Sequence, residues 1–351
     1  MGIFSGFGST DNLNRKKRFY KKTWFKVLLI ILLVGLAIGG WAMYKAGATL
    51  GKISTKDGFF SSLWKSLPGV SSGKLQGQDQ GQINILLLGM RGNNMEGGGL
   101  LADTVMVAAI RPQENKVALI SIPRDLYVQD PGTSSQSKIN AVHAMYEDKA
   151  DGKGMGMMKQ VVGEVTGLPI HYVVRIDFRG FKETVDAVGG VDVYLDKSFA
   201  EPTQFEGEEA LNFSLPAGKN HLDGQKALFF VRARYASSDF ERAKRQQQVL
   251  IALKDKMLSV GTLSDFGKVN DILNILGDDV RADMDASEMK KFFDLANDLH
   301  DPQMKQKVFD TTPEGLLNAS KADTPEGKTY ILLPAGGNYD KIQEACRNIF
   351  Q

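Results

Sequence analysis

Residues 83–89 read INILLLG, and the meaning of this run sets the fold. Six of the seven positions lack a formal dipole or charge on the side chain, and only Asn84 interrupts the apolar series. A run of this length without polar alternation, closed by a glycine, is the pattern of a strand covered on both faces. Similar runs follow at Thr104–Ile110, Val117–Ile122, His171–Ile176, Val191–Tyr194 and Ala227–Arg232, all read as strands. Helical spacing occupies Met155–Thr166 and Phe178–Val188 between them. Residues 239–258, DFERAKRQQQVLIALKDKML, form one long helix capped at Ser238 or Asp239, with further helix at Val269–Leu276 and Ser287–Leu299. Alternating strand-rich and helix-rich pieces specify an α/β domain, a mixed central sheet flanked by helices as a three-layer sandwich. The tail from Phe309 holds one strand, Tyr330–Leu333, and a closing helix, Tyr339–Ile349.

The organisation around this unit follows from charge. Residues 1–26 are a basic cytoplasmic tail, with seven Lys/Arg against the single acid Asp11. Val27–Met43, VLLIILLVGLAIGGWAM, carries no charge, and with its flanking aromatics the span 27–44 approaches the ~20 residues of a membrane-crossing helix. Trp24, Trp41 and Tyr44 suit the two interfaces, and the basic side belongs inside. A cleaved signal peptide is the rival, because Ala46-Gly47-Ala48 offers a small-residue site. The apolar run nevertheless exceeds the ~7–15 residues of a signal core. The reading is therefore a single-pass protein of the cytoplasmic membrane, N-terminus inside and C-terminal domain outside. Residues 45–81, rich in Gly, Ser, Gln and Lys, form an extracellular linker. The domain runs over 82–308, and 309–351 is a C-terminal extension packing on it. A net charge of +2 over 351 residues, with the bases gathered at the N-terminus, does not suit nucleic acid. One cysteine, Cys346, excludes an internal disulfide, and the four histidines show no HExxH spacing.

Chemistry-bearing residues gather at the ends of the strands. LISIPRDLYV, 119–128, sets Arg124 and Asp125 just past an apolar strand, where open α/β sheets bind ligands. By themselves these two form a structural ion pair equally well. LFFVRARYASSDFERAKRQ, 228–246, adds Arg232 and Arg234, which share a side if the segment is extended, and Arg242, Arg245 and Gln246 on one helix face. A solvated helix face accounts for the last three when taken alone. Together, planar guanidinium groups in this number suit a pyrophosphate. The loop GMRGNNMEGGGLLAD, 89–103, lacks the GK[ST] of a nucleotide P-loop. It ends on Asp103, a cap residue or a magnesium ligand.

In order, NILLLG, ADTVMVAAI, ISIPRDLYV, KIN, VDAVGGVDVYL, LDGQKALFFVRAR and DFERAKRQQQVL resemble the blocks of the LytR–CpsA–Psr family over about residues 82–300. The resemblance implies a phosphotransferase that moves a glycopolymer from a polyprenyl-pyrophosphate carrier to peptidoglycan. The bond made is a phosphodiester to the muramic acid 6-hydroxyl, magnesium assists, and an apolar tunnel holds the lipid. It implies pyrophosphate contact for Arg124, Arg232, Arg234, Arg242 and Gln246, with Arg245 beside them, and a metal ligand in Asp103. Asp125 and Lys138 match motif positions, and Asp103 or Asp125 is the general base. The sequence departs from the family pattern at Arg91, which stands where the first metal-binding aspartate is usual, and at Leu101, where an arginine is usual. Arg91 adds a phosphate-binding charge and removes a metal ligand. The rival functions are a polyprenyl-pyrophosphate phosphatase and a non-catalytic polyprenyl-phosphate-binding regulator.

Overall fold

The computed structural model describes residues 74–93, 98–147, 153–205, 212–259, 279–285, 288, 291–292, 295, 302–324 and 327–351. The expected span 27–44 and helix 269–276 lie outside the described residues. So does most of 287–299, of which Glu288, Lys291, Phe292 and Leu295 are helical.

Six strands make the central sheet: β1 (Ile83–Gly92), β2 (Gly99–Arg111), β3 (Lys116–Ile122), β6 (Tyr172–Asp177), β11 (Val280–Ala282) and β12 (Gln303–Val308). Their order is β11-β6-β1-β2-β3-β12. β1 runs parallel to β6 and antiparallel to β2, and β3 runs parallel to β12, so the sheet is mixed. Because successive side chains alternate, β1 feeds two cores. Ile83 and Ile85 enter one; Leu86, Leu88 and Met90 enter the other. This explains INILLLG: both faces are covered, so polar alternation would bury polar groups without partners. Each such Leu or Ile contributes about 1.5–3 kcal/mol.

The first core is closed by α3 (Phe178–Ala187), α4 (Gly224–Arg232) and α5 (Asp239–Ser259), through Val185, Phe230, Val249 and Leu253. The second is closed by α1 (Ile139–Glu147), α2 (Gly154–Thr166) and α6 (Asp340–Arg347), through Val142, Met158, Val162 and Ile342. Short pairs complete the described chain: β4 (Tyr127–Gln129) with β5 (Gln136–Lys138), β7 (Val191–Leu195) with β10 (Gly218–Leu222), β8 (Phe199–Glu201) with β9 (Phe213–Leu215), and β13 (Leu317–Thr324) with β14 (Gly327–Pro334).

Four expectations change. Ala227–Arg232 is not a strand but most of α4. Asp223 caps this helix by accepting from the Lys226 amide at 2.8 Å, and Ala227–Val231 are all buried. A short apolar run buried all round has the same composition in a helix as in a strand, so its period is silent. Val191–Tyr194 is extended but lies outside the central sheet, in the β7–β10 ribbon, with only Val191 and Val193 buried. The tail holds a two-stranded hairpin rather than one strand, since LNASKADT is largely exposed and shows no apolar face. Finally, Leu75, within the presumed linker, is buried in the first core, and the Gln76 amide donates to Tyr172 Oη at 2.8 Å.

One buried polar contact fixes α5 against the sheet. Gln247, 1% exposed, donates through Nε2 to Ser121 Oγ at 2.8 Å, to Lys307 O at 3.1 Å and to Leu119 O at 3.3 Å. It thereby ties the helix to β3 and β12. Substituting Gln247→Leu leaves the buried Ser121 hydroxyl without this partner. Unfolding stability should drop by about 1–3 kcal/mol, read as a lower midpoint in urea at unchanged slope.

Candidate functional site

At the carboxyl ends of β1, β3 and β6, between the sheet and helices α3, α4 and α5, lies a cavity of about 320 Å³. Its deep walls are apolar: Leu87, Val174, Ile176, Phe181, Leu228, Leu250 and Leu253. Its other lining includes Arg91, Arg124, Arg232, Arg234 and Arg242, with Asp103, Asp177, Gln204 and Gln246. Five arginines thus face two aspartates in one lining, leaving a cationic end on a greasy chamber.

Local structure aims each group. After β3, Pro123 opens a turn closed by the Leu126 amide donating to Pro123 O at 3.0 Å. Asn140 N donates to Arg124 O and Leu332 N to Asp125 O, so the backbone that carries Arg124 is held from three directions. On β1, a bulge between Gly89 and Gly92 turns Arg91 into the cavity lining. Gly89 is required by close approach, because a Cβ there would lie 2.9 Å from Thr104 Oγ1. Gly92 sits at φ +88° against Asp177, a conformation that other residues adopt at a cost.

Asp239 holds the arginines together. Its Oδ2 accepts from Arg124 Nε at 2.9 Å. Its Oδ1 lies 3.0 Å from Arg242 Nη1 and 3.8 Å from Arg234 Nη1. Arg124 Nη1 also donates to Asp103 Oδ1 at 2.6 Å, and Arg242 Nη2 to Asp103 O at 3.2 Å. Burial alone would raise the Asp239 carboxyl, but Arg242, Arg124 and Arg234 hold it below the ordinary carboxylate range. Arg124 is pulled down by burial and carried above its ordinary value by Asp103 and Asp239. Arg242 is different: burial lowers it, and its neighbours do not make up the loss. Its Nε is buried with no hydrogen-bond partner. The cluster is therefore short of negative charge at Arg242.

Three residues expected at the site, Arg245 and Lys138 at the phosphate and Asp125 in catalysis, lie outside the cavity lining. Arg245 does not line the cavity. It is 8% exposed, donates to Phe230 O at 3.0 Å, to Ala233 O and to Ser237 Oγ at 3.1 Å, and lies over the Phe199 ring. It closes the carboxyl end of α4, where a cation is favoured, and burial pulls its pKa down to about 10. A helix-face argument grouped Arg245 with Arg242, but the neighbouring α4 captured it. Asp125 and Lys138 also lie outside the lining, joined at 2.7 Å. Sequence reasoning missed Asp239 in its hub role, Asp177 and Gln204. Gln204 positions the arginine loop by accepting from Arg234 N at 2.6 Å and donating to Arg232 O at 2.8 Å. The Asp in DFERAKRQ was legible as a cap, and four residues that could pair with it were already named.

The implied magnesium can be tested on the donors. Among the described residues no group of three His, Cys, Asp or Glu side chains could hold a metal ion. Asp103 already binds Arg124 through one oxygen, and position 91 is a cation. One carboxylate is not a protein-only cage; a magnesium ion here would take most of its ligands from outside the described residues.

The family model LytR_cpsA_psr matches residues 60–346. The chain belongs to the LytR_cpsA_psr family. Among curated relatives, the polyisoprenyl-teichoic acid–peptidoglycan teichoic acid transferase TagU of Oceanobacillus iheyensis is 31% identical over 287 residues, 80% of this chain and 82% of that protein. The TagU of Bacillus mycoides is 31% identical over 269 residues, 75% of this chain and 81% of that protein. Of solved structures, Bacillus subtilis TagV superposes at a TM-score of 0.56 with 26% identity, covering 76% of this chain and 96% of that one. The mixed α/β fold is thus the one found in LytR_cpsA_psr structures.

Asp177 offers a test of the lining's electrostatics. Burial pushes its carboxyl up to about 6, with Asp279 adding to the shift and the Gly180 amide opposing it. A raised carboxylate means that the folded state keeps a proton the unfolded chain releases. Its contribution to stability is complete below about pH 4 and is lost as pH rises through 6. In Asp177→Asn, which keeps the cap on Gly180, the variant should gain stability relative to the parent between pH 4 and 7, followed by urea midpoints across that range.

Proposed function

We propose that the protein transfers a glycopolymer from a polyprenyl-pyrophosphate carrier to peptidoglycan, in the manner of the teichoic acid transferases it resembles. The observation that carries this reading is one cavity with an arginine-lined mouth and an apolar depth. An anionic diphosphate joined to an isoprenoid chain has this same division of polarity, and few other carriers do.

Phosphoryl transfer of this kind is mostly positioning and charge stabilisation. Arg124, Arg234 and Arg242, already oriented by Asp239 and Asp103, meet the phosphate oxygens without reorganising. Arg232, whose guanidinium lies 4.9 Å from the Phe178 ring centroid, sits where the polar and apolar parts of the lining meet, and Arg91 adds a fifth charge. The acceptor hydroxyl attacks the phosphorus bonded to the glycopolymer. The bond to the bridging oxygen breaks, and polyprenyl phosphate leaves with the electron pair. Of the two carboxylates expected to take the hydroxyl proton, Asp103 lines the cavity and Asp125 does not, so the role falls to Asp103. Were magnesium held at Asp103 instead, it would supply Lewis acidity and the hydroxyl proton would pass to water. Gln246 completes the polar lining, its Nε2 3.3 Å from Val231 O. Arg245 and Lys138 act through packing and pairing instead.

The same reading keeps the chain on the cytoplasmic membrane through 27–44, with the domain outside, where lipid carrier and cell wall meet. Full-length protein in detergent, given lipid-linked glycopolymer and peptidoglycan, should yield polymer covalently bound to the wall. Arg124→Ala should cost about 10²–10³ in turnover, with the circular dichroism melt retained. Release of polymer to water alone would instead make it a phosphatase, and binding without turnover a regulator. Asp239→Asn should weaken transfer in a graded way, because the arginines remain but repel. Two unit charges 4 Å apart cost about 4 kcal/mol at an effective dielectric of 20. An Asp239→Asn variant with turnover equal to the parent would remove the hub from the mechanism.

A further inference from the structure

Among the described residues, four large apolar or aromatic side chains are strongly exposed: Leu101 at 46%, Tyr194 at 67%, Tyr235 at 63% and Tyr330 at 46%. Isolated cases need no explanation, but three of these four belong to segments that carry or adjoin the arginine cluster. Tyr235 lines the cavity and lies 5.5 Å from Arg234 Cζ. Leu101 stands two residues before Asp103 on β2. Tyr330 is carried by β14, whose Leu332 amide donates to Asp125 O at 2.9 Å and whose Leu332 bridges Leu126. The hairpin is thus bolted to the strand-end turn that presents Arg124 and rises beside it. The Tyr330 phenol is shifted upward by burial and then by the charges of Asp125 and Asp239. Directly across the hairpin from Tyr330 is Lys321, also exposed.

We propose that Tyr330 and Tyr235, with Lys321 on the β13–β14 hairpin, form the platform on which the acceptor glycan strand of peptidoglycan lies. The inference rests on the transferase reading above and extends it to the second substrate. A pyranose ring has a face of C–H bonds and a rim of hydroxyls, which matches a phenol ring with polar groups around it. Asp125 and Asp239 are paired with Lys138 and with the arginines, so a hydroxyl shares those oxygens, and Lys321 suits the carboxylates of the stem peptides. The same carboxylates disfavour an anionic lipid surface at this rim, and the isoprenoid already has the apolar depth of the cavity. Geometry adds a further reason. Arginines from the end of α4, from α5 and from the turn after β3 line the cavity, and Tyr235 in the same lining is 63% exposed, so an acceptor can reach the site there.

The test uses full-length protein in detergent and measures initial rates against each substrate separately. Tyr330→Ala should raise the KM for a soluble peptidoglycan acceptor about tenfold while leaving the KM for lipid-linked donor within twofold. Tyr330→Phe should restore most of the loss, because it keeps the ring. A rise in donor KM of similar size, or no change in either, overturns the platform. A donor-free measurement separates this from the parent reading. The alternating N-acetylglucosamine–N-acetylmuramic acid tetrasaccharide should show saturation transfer from the wild-type protein that Tyr330→Ala weakens. If wild type makes no polymer–wall bond yet binds the tetrasaccharide in this way, the platform stands and the transferase reading falls. If wild type shows no saturation transfer, the platform falls whatever the turnover.

Discussion

The contact between Arg124 and Asp239 ties together parts of the chain that are far apart in sequence. Arg124 leaves the end of β3 and Asp239 opens α5, and at 2.9 Å they set the height of the helix over the sheet. From that anchor the other charges follow. Arg242 is one turn along α5 from Asp239 and shares its Oδ1, and Arg234 arrives on the loop that feeds the helix. Several cations held within contact range of one carboxylate are stable only while the negative charge is nearly sufficient. Burial leaves Arg242 short of it, with Nε unpartnered.

Below this cluster the problem is the opposite one. The cavity walls of β1, β6, α3, α4 and α5 expose Leu, Val, Ile and Phe side chains to a chamber rather than to each other, which a packed core avoids because unfilled apolar space loses dispersion contacts. A protein keeps such space when a ligand fills it. The cationic mouth and the apolar chamber are therefore two halves of one recognition problem, and membership of the LytR_cpsA_psr family is consistent with both. The rigid parts of the solution are polar and buried: Gln247 fastens α5 to β3 and β12, and Arg245 fastens α4 to α5. Neither lines the chamber, yet each decides where a lining residue points.

Much of the domain was legible before any coordinates. INILLLG and its companions have the composition of strands buried on two sides, and the 239–258 stretch has a helical period long enough to be unambiguous. These signals come from local chemistry, repeated over many residues, and tertiary contacts rarely reverse them. Short or polar elements were another matter. ALFFVR became helix because Asp223 caps it and α5 packs on it. Gln303–Val308 entered the sheet at its edge with only partial burial, and the 317–324 strand shows no apolar face at all.

The sequence by itself determined the α/β order of elements and the presence of arginines at their ends, since both depend on neighbours along the chain. Only the tertiary structure decided which of those arginines share a ligand. Arg242 and Arg245 lie on the same helix face, three residues apart, and no pattern separates them. What separates them is that the carbonyl end of α4 lies within reach of Arg245 and Asp239 within reach of Arg242. Hydrogen-bond reach is a few ångströms, and which groups come within it is set by how helices pack on a sheet, a property of the whole fold.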